Sequence, residues 1–240
     1  MKSAETQVWT KEGEAKRQAV RQMFAEIAPS YDVLNGLMSG AQHHAWRAEA
    51  VRQIELLPGD QVLDLCCGTG DFMIPLRKAV GQEGTVIGAD FCLPMLAQTE
   101  QRTGAANMVV LGDACQLPFA SEAFDAVTVG WGIRNVSDID LAHREIARVL
   151  RPGGRFVSLD MAVPSSRILR ALSRFTFHHV VPILGALFGR TQAYRYLPES
   201  TDRFWTRDQL ADSMRSAGFS QVRYKDLLLG NICLHIGHKP

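Results

Sequence analysis

Residues Val62 to Asp71 read V-L-D-L-C-C-G-T-G-D, and this run constrains the fold more than any other part of the chain. Val62, Leu63 and Leu65 are apolar, as a strand buried on both faces of a parallel sheet requires. The strand runs into Gly68-Thr69-Gly70, where the lack of a Cβ on either glycine lets a ligand come close to the backbone. Phe72 to Ala79 (F-M-I-P-L-R-K-A) then predicts a helix. A strand, a glycine turn and a helix N-terminus together make a cradle for a nucleotide. About 20 residues on, Thr85-Val86-Ile87-Gly88-Ala89 predicts a second strand ending at Asp90, a carboxylate placed for a ribose diol.

The turn lacks the dinucleotide signature. G-x-G-x-x-G needs a third glycine, and Phe72 and Met73 stand there instead. Asp71 follows the turn, and an anion there repels a pyrophosphate. A cationic or zwitterionic nucleoside such as S-adenosylmethionine fits better. The competing reading is an ordinary strand-to-helix turn without a ligand.

At 240 residues the chain is one large domain or a domain with an elaboration. A net charge of +1 points away from a polyanionic partner, so nucleic acid is not expected. Cys66, Cys67, Cys92, Cys115 and Cys233 show no paired metal spacing, and neighbours such as Cys66 and Cys67 cannot bridge without strain. No metal is expected, and a reduced, cytoplasmic setting is the simplest reading. The first residues carry acids and no apolar core of a signal peptide, and no apolar run reaches membrane-spanning length.

Further strands are predicted at Met108–Leu111, Ala126–Gly130 and Arg155–Met161, with helices at Pro94–Thr103 and Ile139–Val149 between them. Such alternation implies a parallel, doubly wound α/β sheet. Helices are also predicted at Lys16–Ile27, Ala45–Leu56 and Trp205–Ala217, and Ala28–Met38 reads as irregular. Gln221–Leu229 and Ile232–Gly237 are strand-like with only Gly230-Asn231 between them, which predicts a hairpin and an antiparallel last strand. The expectation is a Rossmann-like seven-stranded sheet of the class I S-adenosylmethionine-dependent methyltransferase kind. It divides into an N-terminal helical cap, 1–57, and a methyltransferase domain, 58–240, with a substrate-capping insertion at 164–200. Within the insertion Arg167, Arg170 and Arg174 fall on one helical face, and Ile168, Leu169, Leu172 and Phe175 form the other. This is an interfacial helix over 164–190, or a lid on the core with solvated arginines.

Several blocks resemble the C-methyltransferases of ubiquinone, menaquinone and phylloquinone biosynthesis, the demethylmenaquinone type included. They are F-A-E-I-A-P-S-Y-D-V-L-N (Phe24–Asn35), S-G-A-Q-H-H-A-W-R (Ser39–Arg47), L-P-F-A-S-E-A-F-D (Leu117–Asp125), G-W-G-I-R-N-V (Gly130–Val136), R-V-L-R-P-G-G and Y-R-Y-L-P-E-S (Tyr194–Ser200). W-G-I-R-N and Y-R-Y-L-P-E-S are the most specific. Ala41 stands where that family usually has Gly, Trp131 where Phe is common, Cys66-Cys67 where Gly-Gly is frequent, and Asp160 where Glu is usual.

The resemblance implies methyl transfer to a ring carbon of a prenylated quinol, with S-adenosyl-L-homocysteine as the second product. For the cofactor it implies Asp90 and the adjoining Phe91 at the ribose, Thr69 with Gly68 and Gly70 beside the amino-acid part, and Asp113-Ala114 at the adenine. Gly130 then lies beside the methyl donor, and Asp64 orients the glycine loop. For the acceptor it implies Arg134 stabilising a phenolate, Asn135 positioning a ring oxygen, and Tyr31 and His43 folding over the pocket. An unperturbed imidazole titrates near ~6.5, which makes His43 the best-suited base; the alternative is a solvent-exposed loop histidine. His44 is not expected to face the same way as His43. His178 and His179 read as packing or pocket polar groups. Peripheral contact with the inner face of a membrane and a homodimer are further expectations. The alternatives are a methyltransferase acting on another lipophile (a phospholipid amine or prenylated phenol) and a non-catalytic cofactor-binding scaffold.

Overall fold

A computed structural model describes residues 8, 11–104, 108–176, 178 and 191–240, with backbone only at 34, 37 and 191–195. Three helices precede the first strand: α1 (Gly13–Ile27), α2 (Tyr31–Ser39) and α3 (His43–Ile54). The segment expected to be irregular is therefore helical. Pro29 sits in the first turn of a short 3₁₀ helix, Ala28–Ser30, where its missing N–H costs nothing, and α2 follows directly.

The chain then alternates: β1 (Gln61–Leu65), α4 (Met73–Val80), β2 (Thr85–Asp90), α5 (Leu93–Thr103), β3 (Met108–Leu111), β4 (Phe124–Gly130), α6 (Ile139–Val149) and β5 (Leu150–Met161). After it come α7 (Arg167–Phe175), α8 (Thr191–Asp202), α9 (Arg207–Ser216), β6 (Ser220–Leu227) and β7 (Ile232–His238). The seven strands form one sheet in the order β3-β2-β1-β4-β5-β7-β6. β7 runs antiparallel to both β5 and β6, and the pairs among β1 to β5 are parallel. The connection from β6 to β7 is longer than the expected two residues. Leu228–Gly230 adds a 3₁₀ turn before Asn231.

Period-2 alternation splits the sheet's side chains into two buried layers. Leu63, Leu65, Val127, Val129 and Phe156 pack on one face with Ile146 of α6 and Met214 of α9. Val62, Ala126, Val157 and Leu159 pack on the other with Ala50 and Ile54 of α3 and Met73 and Leu76 of α4. The sheet order reverses between β1 and β4. Loops leave that gap in opposite directions at the strands' carboxyl ends, and the space between them is where ligands bind in such sheets.

α7 departs from the expectation of a lid packed on the core, since none of its residues is buried. His179 and the apolar run 179–190 lie outside the described residues.

Phe156 is fully buried and meets Phe219 and His143 with ring centroids 5.4 and 5.7 Å away. Phe156→Ala should destabilise the fold by about 3–5 kcal/mol, measured by urea unfolding.

Candidate active site

The carboxyl ends of β1, β2, β3 and β4 line one cleft. Cys66 and Gly68 follow β1, Asp90 and Phe91 end β2, Asp113 and Ala114 follow β3, and Gly130 and Trp131 close β4. Arg17, Phe24 and Tyr31 from the N-terminal helices supply the roof. The two turn glycines divide the labour. Gly68 (φ +58°) leaves its Cβ direction open, with Tyr31 the nearest side chain at 3.9 Å. A Cβ on Gly70 (φ +84°) would sit 2.7 Å from Thr99 Cγ2, so this glycine lets α5 pack against the loop.

Asp90 is buried, and both of its oxygens accept backbone N–H bonds, Oδ2 from Gly68 (3.0 Å) and Oδ1 from Cys92 (2.9 Å). Burial pushes its pKa up to about 6 against the pull of those bonds, which leaves it ionised at neutral pH. A carboxylate oxygen has two lone pairs, so acceptor capacity remains for a vicinal diol. Phe91, Met95 and Ala114 supply apolar walls beside it. This acceptor-and-wall set fits a nucleoside.

Asp64, Thr69 and Gly70 do not line the cleft. Asp64 lies under the loop, where it accepts a bond from Thr128 (2.9 Å) and its Oδ2 has no partner. Burial, with Asp90 and Asp71 nearby, pushes its pKa up to about 7. The Thr69 hydroxyl donates to Asp32 (2.6 Å) on α2 and accepts from Arg102 (3.1 Å).

A second, larger cavity of about 1420 Å³, counting its mouth, adjoins the first. Phe24, Tyr31 and Trp131 line both, so these three rings form the wall between them. His43, Trp46, Arg47, Arg134 and Tyr196 give the second cavity its polar and aromatic side, and Met23, Ile27, Met38, Leu228 and Ile232 give its apolar side. Tyr31, His43 and Arg134 thus share one cavity.

Asn135 faces the first cleft and holds the wall. Its amide donates to the Trp131 carbonyl (2.9 Å) and its Oδ1 accepts from the Tyr196 hydroxyl (2.6 Å). Arg134 donates to the same carbonyl (3.0 Å) and to Asp160 (2.5 Å). Burial lowers the pKa of this guanidinium, but Asp160 together with Tyr196 and Tyr31 raises it overall, so it stays charged. Trp131 itself has φ 57°, an unfavourable backbone state for a bulky residue, and these two donors help fix it.

His43 is buried and lines the cavity, against the loop-exposed alternative. It departs from the expected base in one respect, since burial together with Arg47 lowers its pKa to about 4. At neutral pH it is an uncharged imidazole. Ser39 donates its own proton to the Asn35 carbonyl (2.7 Å), so its oxygen accepts from His43 Nδ1 (2.6 Å) and the lone pair falls on Nε2. His44 is exposed and does not line the cavity that His43 lines, although their ring centroids are 4.0 Å apart.

Asp71 also differs. Its carboxylate contacts Arg102 (2.6 Å), Arg47 (3.3 Å) and His43 (3.7 Å). Burial raises its pKa, but Arg47 and Arg102 outweigh that and hold the carboxyl below its usual range. A charge compensated in this way does not repel a phosphate, so the case against a dinucleotide rests on the missing glycine alone. His43, His44 and Asp71 do come within 4.8 Å of one another, but a metal ion there would face both guanidiniums. Arg47, Asp71, Arg102, Asp32 and Asp160 were not picked out as site residues, and neither was Arg17, which pairs with Asp113 at 2.7 Å. Their partners are far apart in sequence and no local spacing marks them.

The switch-point cleft, with a nucleoside-compatible acid at the end of β2 and a second cavity across an aromatic wall, has the architecture of the class I S-adenosylmethionine-dependent methyltransferase fold. The fold has wide company. A SAM-dependent methyltransferase of Thermotoga maritima aligns with a TM-score of 0.67 at 20% identity over 92% of this chain and 100% of that one. The [4+2]-cyclase SpnF aligns at 0.69 and 18% identity, over 93% of this chain and 96% of that one, so the fold alone does not fix the chemistry. The sequence narrows it: the profile of the ubiE/COQ5 methyltransferase family matches residues 11–239, and the chain belongs to that family. The demethylmenaquinone methyltransferase of Alkalihalophilus pseudofirmus is 38% identical, over 94% of this chain and 98% of that protein. That of Staphylococcus aureus is also 38% identical, over 95% and 96%.

Asp64 binds its proton more tightly when folded than in the unfolded chain, where the pKa is near ~3.9. The folded state therefore holds the extra proton between these values, and this group's contribution to stability falls as pH rises to about 7. His43 and His143, both lowered to about 4, contribute with the opposite sign over pH 4 to 6.5 and mask the trend in the wild type. The stability gained by Asp64→Asn isolates it. Urea unfolding should show a gain near zero at pH 4 that grows to a plateau above pH 7; a gain that is flat with pH would contradict the raised pKa.

Proposed function

We propose that this enzyme methylates a ring carbon of a prenylated quinol, converting a demethylmenaquinol or demethylphylloquinol to the methylated quinol. A methoxy-polyprenyl-benzoquinol is the second acceptor of this reading. The observation that carries it is the pair of cavities meeting at Phe24, Tyr31 and Trp131: one suits a nucleoside and the other a flat ring with an apolar extension. The names of the relatives supply the quinone.

In this reading Asp90 and Phe91 hold the ribose, Asp113 and Ala114 the adenine end, and Gly68 gives the backbone access. Gly130 lies beside the reactive centre. Asp64, Thr69 and Gly70 act one step back by setting the loop. S-adenosylmethionine brings an electrophilic sulfonium methyl, and the reaction leaves S-adenosyl-L-homocysteine.

The acceptor carbon becomes nucleophilic as a phenolic proton leaves to solvent water at the cavity mouth. The carbon–methyl bond forms as the sulfonium–methyl bond breaks, and the ring proton at that carbon then leaves to the phenolate oxygen or to water. Arg134 and Arg47 both line the acceptor cavity, each beside an acid (Asp160 and Asp71), and their remaining N–H donors favour the phenolate. His43 is too weak a base to keep that proton at neutral pH. Its Nε2 lone pair orients the ring hydroxyl instead. Asn135 acts through Trp131 and Tyr196, and Tyr31 fixes the ring against the donor.

No helix among the described residues is long and apolar enough to cross a membrane. Peripheral contact through 164–190 on the inner face of a membrane delivers the insoluble quinol in this reading. A cytoplasmic enzyme, a homodimer, and a cap over 1–57 with a methyltransferase unit over 58–240 complete it.

Labelled S-adenosylmethionine, offered with reduced demethylnaphthoquinols and with a methoxy-benzoquinol, tests the acceptor. Label on the naphthoquinol is the expected result, and label on both extends the range. No transfer to either while cofactor still binds would overturn the proposal in favour of another lipophile or a scaffold. Asp90→Ala should weaken binding of S-adenosyl-L-homocysteine about 10- to 100-fold by titration calorimetry, the worth of hydrogen bonds to a charged group. An unchanged dissociation constant would remove Asp90 from the ribose.

A further inference from the structure

The acceptor cavity opens beside an unusual piece of surface. Leu228, which lines the cavity, is 42% exposed, and its neighbour Leu229 is 71% exposed. Both have positive φ, 45° and 54°. Two successive branched residues in the left-handed region are unfavourable, and such strain persists where the surroundings impose it. The N–H and side-chain amide of Asn231 both donate to the Leu228 carbonyl (3.1 Å each) and fix the turn. Folding therefore tolerates a strained turn that holds leucines outward.

α7 lies alongside. The Ser173 hydroxyl bonds Asn231, Ala162 N–H donates to the Asn231 carbonyl (2.8 Å), and the Cβ direction of Gly230 ends 3.4 Å from Pro164 Cα. From this seat the helix presents Ile168 at 80% and Leu172 at 59% exposure. Arg167 and Arg170 are exposed on the same helix. Among the described residues Arg170 bonds only to the carbonyls of Pro164 and Ser165, contacts that leave its charge unneutralised, whereas Arg174 pairs with Asp202.

We propose that the β6–β7 turn and α7 form a two-part docking lip for an anionic lipid bilayer, with Leu229, Ile168 and Leu172 inserting and Arg167 and Arg170 meeting headgroups. The apolar lining continues through Leu228 from this surface into the acceptor cavity, so a docked enzyme opens its cavity onto the lipid. The inference rests on the lipid-soluble acceptor proposed above and specifies how that acceptor is reached. Apolar side chains at a lipid interface gain about the transfer energy of their buried area, and cationic residues nearby add attraction to anionic headgroups.

The test is co-sedimentation with phosphatidylglycerol/phosphatidylcholine vesicles and with phosphatidylcholine alone, with no acceptor present. The wild type should bind the anionic vesicles more strongly. Leu229→Asn and the double variant Ile168→Ser, Leu172→Ser should each lower the partition coefficient, about tenfold per aliphatic side chain removed. Asparagine suits the left-handed backbone better than leucine, so Leu229→Asn should keep or raise the melting temperature while binding falls. That combination separates docking from a packing role. The proposal fails if the wild type stays in the supernatant, or if the variants bind as it does. It also fails if Leu229→Asn abolishes a dimer in sedimentation velocity and leaves vesicle binding unchanged. Methylation of a tail-free naphthoquinol by Leu229→Asn tests the chemistry separately: activity there without wild-type vesicle binding would sink the docking lip and spare the quinol reading.

Discussion

The site depends on one buried carboxylate. Asp71 sits just after the glycine turn and holds two guanidiniums, Arg47 from α3 and Arg102 from α5. Arg102 passes the tie on to Asp32 of α2 at 2.8 Å. Three separate helices are thereby pinned to the loop that shapes the cleft. Arg47 and Asp71 are both buried, and breaking a buried pair so that a charge is left uncompensated costs about 3–5 kcal/mol. The loop's geometry and the placement of the N-terminal helices are thus one property of the molecule.

Most charges on either side of the aromatic wall between the cavities are paired. Asp113 at the edge of the first cleft meets Arg17, and Arg134 and Arg47 lining the second meet Asp160 and Asp71. Asp90 differs, because its partners among the described residues are backbone N–H groups and no cation. Its carboxylate charge suits a cationic nucleoside and is fixed before any ligand arrives. The wall is itself held by the second cavity's polar groups, because Arg134 and Asn135 both bond the Trp131 carbonyl.

The sheet was legible in the sequence because its signals are local. Apolar strands, a glycine turn, an acid at the end of the second strand and a run of alternating helices each declare themselves within a few residues. Ala28–Met38 was misread because Pro29 and Gly36 mimic a loop, whereas Pro29 occupies the one part of a helix that tolerates it. The site was only half legible. Gly68, Asp90, Phe91, Asp113, Ala114 and Gly130 line one cleft as their strand ends suggested. The ion network was invisible because Thr69 and Asp32 are 37 positions apart, and Arg102 and Asp71 are 31 apart. His43 was misjudged as a base for a related reason: its proton affinity follows from burial and Arg47, neither of which its own sequence position reveals.

The roof over the first cleft has a kinetic corollary. Lys16 reaches across to the carbonyls of Val136 (2.6 Å) and Arg134 (3.2 Å), and Arg17 ties α1 to Asp113. Phe24 and Tyr31 lie under that closure. Anything the size of a nucleoside that enters or leaves by the roof has to break those contacts first. Ligand exchange along that route is therefore coupled to the lifting of α1, a motion set by Lys16 and Arg17, which lie away from the wall between the cavities.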